Sequence, residues 1–330
     1  MRIGINGFGR IGRQVFRIAF ERPGVEIAHI NDVTATEVLA TLLRFDTTYG
    51  RWGKRVRAEG QSLHIDGTTI SVSAETDPGK LPWRDKGVDV VLESTGKFRK
   101  REDAARHLAA GAKKVLVSAP GKDGLDGDFV IGVNEDQYDR ERHHVISIGS
   151  CTTNCLVPVA KVIHEEFRIQ YGLINTVHAY TSSQNLVDGP NKDIRRGRAA
   201  AQNLVPTTTG AAKMIGRLIP ELDGRLHGLS VRAPVSVGSL LDLTCTVEKE
   251  VTAEQVNAAF RKWAQGRMKG ILEVEDEPLV SSDIIQSDKS ATVTSRDTQV
   301  IGGHFLKVLA WYDNEWGFSC RCVDMMTKML

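Results

Sequence analysis

Cysteine is scarce in this chain of 330 residues, with five in all, an odd number. That count argues against a secreted scaffold stapled by disulfides and for a reducing compartment, so a cytoplasmic location is expected. Neither sign of charge is in excess: 43 Lys+Arg face 41 Asp+Glu, a formal net charge of +2. The balance gives no electrostatic case for nucleic acid or membrane partners. No stretch approaches the ~18 apolar residues of a membrane span. No long apolar run follows the first basic residue, as a signal peptide would require. With 41% apolar and 25% charged residues, disorder, collagen and low-complexity classes are excluded. The length is about twice that of a typical domain, so two domains with separate cores are expected.

What is present begins at the N-terminus. Residues 2–6 alternate as a short strand and run into Gly7-Phe8-Gly9-Arg10-Ile11-Gly12, a G-x-G-x-x-G, followed by apolar residues at helical spacing. A second strand, residues 25–30, ends at Asn31-Asp32, and Asp32 follows Gly12 by 20 positions. Among 31 glycines the motif alone is weak. Between a strand and a helix, with an acid at that distance, it fits a dinucleotide site. Residues without a Cβ let the backbone approach a pyrophosphate, and a helix N-terminus favours its charge. Asp32 accepts from an adenosine ribose and repels a 2′-phosphate, so the pattern points to NAD over NADP.

Strand and helix continue to alternate. Residues 88–96 and 113–120 read as buried strands ending in small polar residues, with a helix at 101–110 between them. Ligands of open α/β sheets lie beyond the carboxyl ends of strands, which makes Thr95, Gly96 and Ser118 candidate contacts. Residues 56–72 read as one hairpin turning at Asp66-Gly67. Beyond residue 170, long alternating runs (226–237, 240–247, 305–312) with helices at 207–218 and 253–265 predict an α+β second domain. The fold class expected is therefore an α/β Rossmann-type nucleotide-binding domain, residues 1–150. It is joined to an α+β catalytic domain with a mostly antiparallel sheet, residues 151–314. A C-terminal helix, 315–330, completes the chain.

Ser150-Cys151-Thr152-Thr153-Asn154-Cys155 stands where a strand ends and a helix begins. A thiol in a first helical turn is favoured as thiolate, and Ser150 suits the N-cap. Pro158 counts against a regular helix there. Cys151 reads three ways: a buried structural cysteine, a metal ligand with Cys155, or a nucleophile. No second Cys/His pair has zinc-like spacing, so no metal is expected. A nucleophile needs a base, and of nine histidines His178, at the end of a strand beside a polar stretch, is the best placed.

These residues carry a resemblance. Asn6–Gly12 (NGFGRIG), Ser150–Cys155 (SCTTNC), Lys192–Ala201 (KDIRRGRAAA), Pro206–Lys213 (PTTTGAAK) and Trp311–Gly317 (WYDNEWG) closely resemble the phosphorylating glyceraldehyde-3-phosphate dehydrogenases, in order and over essentially the whole length. The resemblance implies Cys151 as nucleophile and His178 as general base, acting through a thiohemiacetal and a thioester that inorganic phosphate cleaves. It implies Thr181 and Arg232 for the substrate phosphate, and Ser150, Thr152, Thr209, Gly210 and Arg196 for the attacking phosphate. It assigns the cofactor to Gly7, Gly9, Arg10, Ile11, Gly12, Asp32, Thr95, Ser118, Asn314 and Phe318, with Asn314 orienting the nicotinamide carboxamide. It also implies a homotetramer, with residues 180–203 reaching toward a neighbouring subunit, and the C-terminal helix packed back on the first domain.

Four departures from the family pattern stand out. Phe318 replaces a Tyr beside the nicotinamide, keeping the ring and losing the hydroxyl. Ile148-Gly149 replaces Asn-Ala before the nucleophile, and Ser183 replaces an Asp near the substrate phosphate. Gly189 replaces Leu in a loop that excludes a 2′-phosphate, which leaves room for some NADP use against Asp32. Two alternatives accompany this reading: an erythrose-4-phosphate dehydrogenase, against which Thr181 and PTTTGAAK stand, and a non-catalytic NAD-binding protein, against which Cys151 and His178 stand. Cys155, about one turn from Cys151, reads as structural or as a resolving thiol under oxidation.

Overall fold

Seven parallel strands carry the first sheet. Its order is Gly127–Asp128, Val145–Ser147, Lys114–Val117, Val90–Glu93, Arg2–Asn6, Glu26–Asn31 and Thr68–Ser73, then Ser62–Ile65 and Val56–Glu59 antiparallel at one edge. Near-continuous apolar runs explain the parallel part. Ile3, Ile5, Ile30, Val90, Leu92, Val115 and Leu116 are wholly buried, as strands covered on both faces must be. The computed structural model describes residues 1–122 and 124–330. The first of two units comprises residues 1–129, 136–149 and 319–330; the second comprises 130–135 and 150–318.

The strand order reverses direction at Arg2–Asn6, whose neighbours are Glu26–Asn31 on one side and Val90–Glu93 on the other. That switch point is where open α/β sheets bind ligands. The expected single hairpin over 56–72 is instead a three-stranded meander. Gly60-Gln61 makes an additional turn before Asp66-Gly67, as the pairs Glu59↔Ser62 and Ile65↔Thr68 show. The helix Trp316–Lys328 begins in the second unit and ends in the first. Its distal part is tied there by Arg22 to Asp324 at 2.6 Å and by Tyr138 Oη to the Met329 carbonyl at 3.2 Å.

In the second unit, an eight-strand sheet has five antiparallel and two parallel pairings. One parallel pairing, Ile169–Ala179 with Leu226–Ala233, lies in the middle of the sheet. The helix Cys151–Phe167 packs on strands Ser239–Val247, Ala291–Thr294 and Phe305–Tyr312 of this unit. It runs unbroken through Pro158. An interior proline costs ~3 kcal/mol in lost bonding and steric conflict. Burying Leu156, Val157 and Val159 completely, with Pro158 buried among them, recovers ~1.5–3 kcal/mol for each large side chain, which explains why the helix survives.

Candidate active site

At the carboxyl edge of the parallel sheet, the three glycines of the motif do different work. Gly7 has φ +93°, and a Cβ there would lie 2.6 Å from the Thr95 nitrogen. A Cβ on Gly12 would lie 2.1 Å from the Gly7 carbonyl oxygen, so this position admits only glycine without a backbone shift. Gly9 faces open space and stands at the N-cap of the helix Arg10–Phe20, where no side chain caps the helix. An anion fits that place, close to backbone N–H groups at the positive end of the helix.

Asp32 is held by backbone donors from two loops. Its Oδ2 accepts from the Phe8 N–H at 2.7 Å and its Oδ1 from the Thr34 N–H at 2.9 Å, leaving lone pairs for a ribose diol. Arg10 turns its guanidinium toward the Asp46 carboxylate and over the Tyr49 ring. Ser118 Oγ donates to the Glu93 carbonyl at 3.1 Å. Thr95 Oγ1 donates to the Glu93 carboxylate and accepts from the Lys97 N–H at 3.1 Å.

In the second unit the thiol is placed by a capped helix start. Ser150 Oγ accepts from the Thr153 N–H at 3.1 Å, and Cys151 is the first helical residue. Its Sγ is 3.4 Å from His178 Nε2. His178 stands next to last on Ile169–Ala179 and pairs in parallel register with Arg232 on Leu226–Ala233. That register brings the guanidinium onto the imidazole: Arg232 Nη1 is 2.6 Å from His178 Nδ1 and 3.0 Å from the Ala179 carbonyl.

His178 Nδ1 is also 2.7 Å from the Ala179 carbonyl. Two tautomers therefore compete. A proton on Nδ1 satisfies Ala179 and leaves Nε2 bare toward the sulfur. The guanidinium, which only donates, favours a bare Nδ1 and a proton on Nε2. Burial, reinforced by the Arg232 charge, drives the imidazole pKa down to about 3, against the Ala179 hydrogen bond, so the ring is neutral at physiological pH. Burial also pushes the Cys151 thiol up, opposed by Arg232 and by hydrogen bonds from Thr152. The sequence led us to expect a thiol favoured as thiolate; burial acts in the opposite direction.

Groups suited to anions flank this pair. Arg232 pairs across the strands with Val205, two residues before Thr207. Thr207 Oγ1 accepts from Arg196 Nε at 2.9 Å, and Asp193 lies 3.6 Å from the same nitrogen. Two residues on, Thr209 Oγ1 accepts from the Ala211 N–H at 3.2 Å, and Gly210 is the N-cap of the helix Ala211–Leu218. Thr181 Oγ1 is 2.8 Å from Ser183 Oγ. The Tyr180 N–H donates to the Val235 carbonyl at 3.1 Å, which joins the segments after His178 and after Arg232. Arg232 Nε is buried without a partner. Such a donor is one that an anion can satisfy.

Two functional residues escaped the sequence reading. Tyr312 Oη, buried, lies 3.0 Å from Thr152 Oγ1 and 2.7 Å from Thr176 Oγ1, and so braces the residue after the thiol. Ser239 Oγ accepts from the Ala179 N–H at 3.1 Å and donates to Asn314 Oδ1 at 2.9 Å. That bond fixes which end of the Asn314 amide carries the oxygen. Tyr312 was at least flagged by its place in the WYDNEWG motif; Ser239 had no local signal. Phe318 is buried at 5% exposure. Gly149, with φ +72°, precedes the Ser150 cap, and the glycine in Ile148-Gly149 suits that left-handed backbone.

Comparison with known proteins agrees with the geometry. Residues 1–101 match the family model described as glyceraldehyde 3-phosphate dehydrogenase, NAD binding domain. Residues 150–314 match that of the glyceraldehyde 3-phosphate dehydrogenase C-terminal domain. The chain is 52% identical over 325 residues to the glyceraldehyde-3-phosphate dehydrogenase of Geobacillus stearothermophilus, covering 98% of this chain and 97% of that one. It is 53% identical over 326 residues to the enzyme of that name from Kitasatospora aureofaciens, covering 98% of each.

Proposed function

The chain belongs to the glyceraldehyde-3-phosphate dehydrogenase family, and from that premise we propose how its own residues divide the work. The reaction oxidises glyceraldehyde 3-phosphate with NAD and inorganic phosphate to 1,3-bisphosphoglycerate. The contact of 3.4 Å between Cys151 Sγ and His178 Nε2 carries the assignment of nucleophile and base. The Cys151 sulfur adds to the aldehyde carbon while His178 Nε2 takes the thiol proton and passes it to the carbonyl oxygen, giving a thiohemiacetal. His178 Nε2 takes the hydroxyl proton as the carbon is oxidised, and a thioester remains on Cys151. NAD, when bound, accepts the hydride. Phosphate oxygen then attacks the thioester carbon, the C–S bond breaks, and the sulfur is released.

Arg232 links substrate binding to the base. With no anion present it donates to His178 Nδ1. A substrate phosphate that draws the guanidinium away frees Nδ1 to donate to Ala179, which leaves Nε2 bare for proton transfer. Thr181 joins Arg232 at the substrate phosphate. Ser150, Thr152, Arg196, Thr209 and Gly210 receive the attacking phosphate, where arginine forks and hydroxyls match its oxygens.

The cradle of Gly7, Gly9 and Gly12 holds the diphosphate on the backbone of Arg10 and Ile11, and Asp32 holds the adenosine ribose. Thr95 and Ser118 shape the neighbouring loops. Asn314 orients the nicotinamide carboxamide beside Phe318. At Gly189 a Cβ would come within 3.0 Å of Asn185 Nδ2, and the missing side chain is expected to permit weak NADP use. Steady-state rates with glyceraldehyde 3-phosphate, with and without phosphate, run separately with NAD and NADP, test this reading. NADH formation that does not respond to phosphate would overturn it.

The assembly proposed is a homotetramer. Tyr171 and Leu173 on Ile169–Ala179, Leu229 on the neighbouring Leu226–Ala233, and Phe305 on Phe305–Tyr312, one strand further on the other side, stand exposed by 45–71%, an apolar surface of the kind that subunits cover. Light scattering that returns a monomer mass would remove it. A cytoplasmic enzyme is consistent with five free cysteines. Among the described residues no helix is long and apolar enough to cross a membrane.

A further inference from the structure

Four adjacent strands of the first sheet end in polar residues: Glu93, Asn6, Asn31 and Ser73, each the last of its strand. Their side chains join in one chain of hydrogen bonds. Glu93 Oε2 accepts from Asn6 Nδ2 at 2.6 Å. Asn6 Oδ1 accepts from Asn31 Nδ2 at 2.7 Å. Asn31 Oδ1 accepts from Ser73 Oγ at 2.8 Å. Every link has one possible direction once its ends are known, and both ends are held.

At one end, Trp83 Nε1 contacts His107 Nδ1 at 2.9 Å. An indole nitrogen only donates, so His107 Nδ1 is bare and its proton sits on Nε2. His107 Nε2 therefore donates to Glu93 Oε2, 3.0 Å away. The other carboxylate oxygen, Oε1, accepts from the Thr95 N–H at 2.9 Å and from the Thr95 hydroxyl. Glu93, 1% exposed, thus meets four donors and no arginine or lysine. At the far end Asn31 accepts from the Glu75 N–H and donates to the Glu75 carbonyl, both at 2.9 Å.

Each of three members is followed at once by a cofactor loop. Asn6 precedes Gly7–Gly12, Asn31 precedes Asp32, and Glu93 precedes Ser94-Thr95. Ser94 Oγ donates in turn to the Gly7 carbonyl at 2.6 Å. We propose that this row of strand-end side chains is a latch that sets the spacing of the three loops that hold the dinucleotide, so that Glu93 and Asn31 are positioning residues for NAD that never touch it. The inference rests on the cofactor assignment above. It adds that affinity for NAD depends on the direction of buried hydrogen bonds, not only on their number.

Two isosteric substitutions test it in the full-length protein. Glu93→Gln turns an acceptor into a donor against Asn6 and His107, and Asn31→Asp turns a donor into an acceptor against Asn6 and Glu75. Each is expected to raise the Kd for NAD, measured by calorimetry, by ~10-fold or more, while kcat at saturating NAD falls far less. A residue that served stability alone would lower Tm and leave the Kd of the folded protein within about 2-fold; that result in both variants overturns the proposal. Trp83→Phe supplies the sharper check. It removes the N–H that fixes His107, so added to Glu93→Gln it lets His107 Nε2 accept from the new amide. Affinity should then recover in part in the double variant, since Asn6 Nδ2 still faces the new amide, although its Tm does not, and no recovery would overturn the directional argument. Should neither isosteric variant fold, Ser73→Ala at the end of the row is expected to weaken NAD ~3-fold, and an unchanged Kd there overturns the latch. Failure of the unaltered protein to bind NAD would instead refute the cofactor assignment.

Discussion

The carboxyl edge of the parallel sheet and the thiol site of the second unit use polar groups in opposite ways. At the sheet edge every buried polar side chain from Trp83 to Ser73 has its partner, and the direction of each hydrogen bond is determined. Around Cys151 the bonding is contested. Two groups compete for His178 Nδ1, and Arg232 Nε has no partner at all. A saturated network has one low-energy arrangement and suits a scaffold that must hold a cofactor the same way each turnover. A site with unmet donors suits chemistry, because substrate supplies what is missing.

The comparison breaks if the thiol site proves to be scaffold as well. Cys151→Ser should abolish turnover, by ~1000-fold or more, since an alcohol at this position cannot form the thioester. NAD binding by calorimetry should be retained. Substantial dehydrogenase activity in this variant would show the nucleophile to be elsewhere. Arg232→Ala should cost less, ~100-fold in kcat/KM for glyceraldehyde 3-phosphate, through the lost phosphate contact. NAD affinity should stay within about 2-fold. Equal losses for substrate and cofactor would mean that the guanidinium braces the fold instead of waiting for an anion.

How far each region could be read from the sequence follows the same division. Gly7–Gly12 and Asp32 lie in one contiguous βα unit, where local spacing carries the geometry. The contact of His178 with Arg232 depends on the parallel register of two strands far apart in the chain, and no local pattern encodes register. Only the family resemblance singled out Arg232. The strand-end latch was invisible for another reason: Asn6, Asn31, Ser73 and Glu93 look like ordinary polar strand ends until the sheet order sets them side by side. Pro158 misled because tertiary burial outweighed a local rule, and the meander at 56–73 because a Gly-Gln turn is a weak signal beside Asp-Gly.

The smallest expected effect sharpens the comparison at the margin of the saturated network. His29 Nε2 lies 2.8 Å from Ser73 Oγ and Nδ1 lies 2.7 Å from Ser71 Oγ. Ser73 spends its single hydrogen on Asn31, so it accepts from His29 Nε2, and Nδ1 accepts from Ser71. A second proton on Nδ1 would require the Ser71 hydroxyl to turn and accept it. Burial, with a smaller contribution from Lys86, holds its pKa down to about 4, against 6.5 for the free side chain. Between these values the unfolded chain binds a proton that the folded chain refuses. Stability from this group is thus complete above pH 6.5 and is lost as pH falls toward 4. By linkage the loss at pH 4.5 is about 2 kcal/mol. His29→Gln should be less stable than the unaltered protein at pH 7, because an amide cannot reproduce both serine contacts. It should nevertheless lose less stability on going to pH 4.5, by about 2 kcal/mol in urea unfolding followed at both pH values. Parallel losses in the two proteins would show that His29 is charged in the folded state and that the Ser71 hydroxyl turns to accept its second proton.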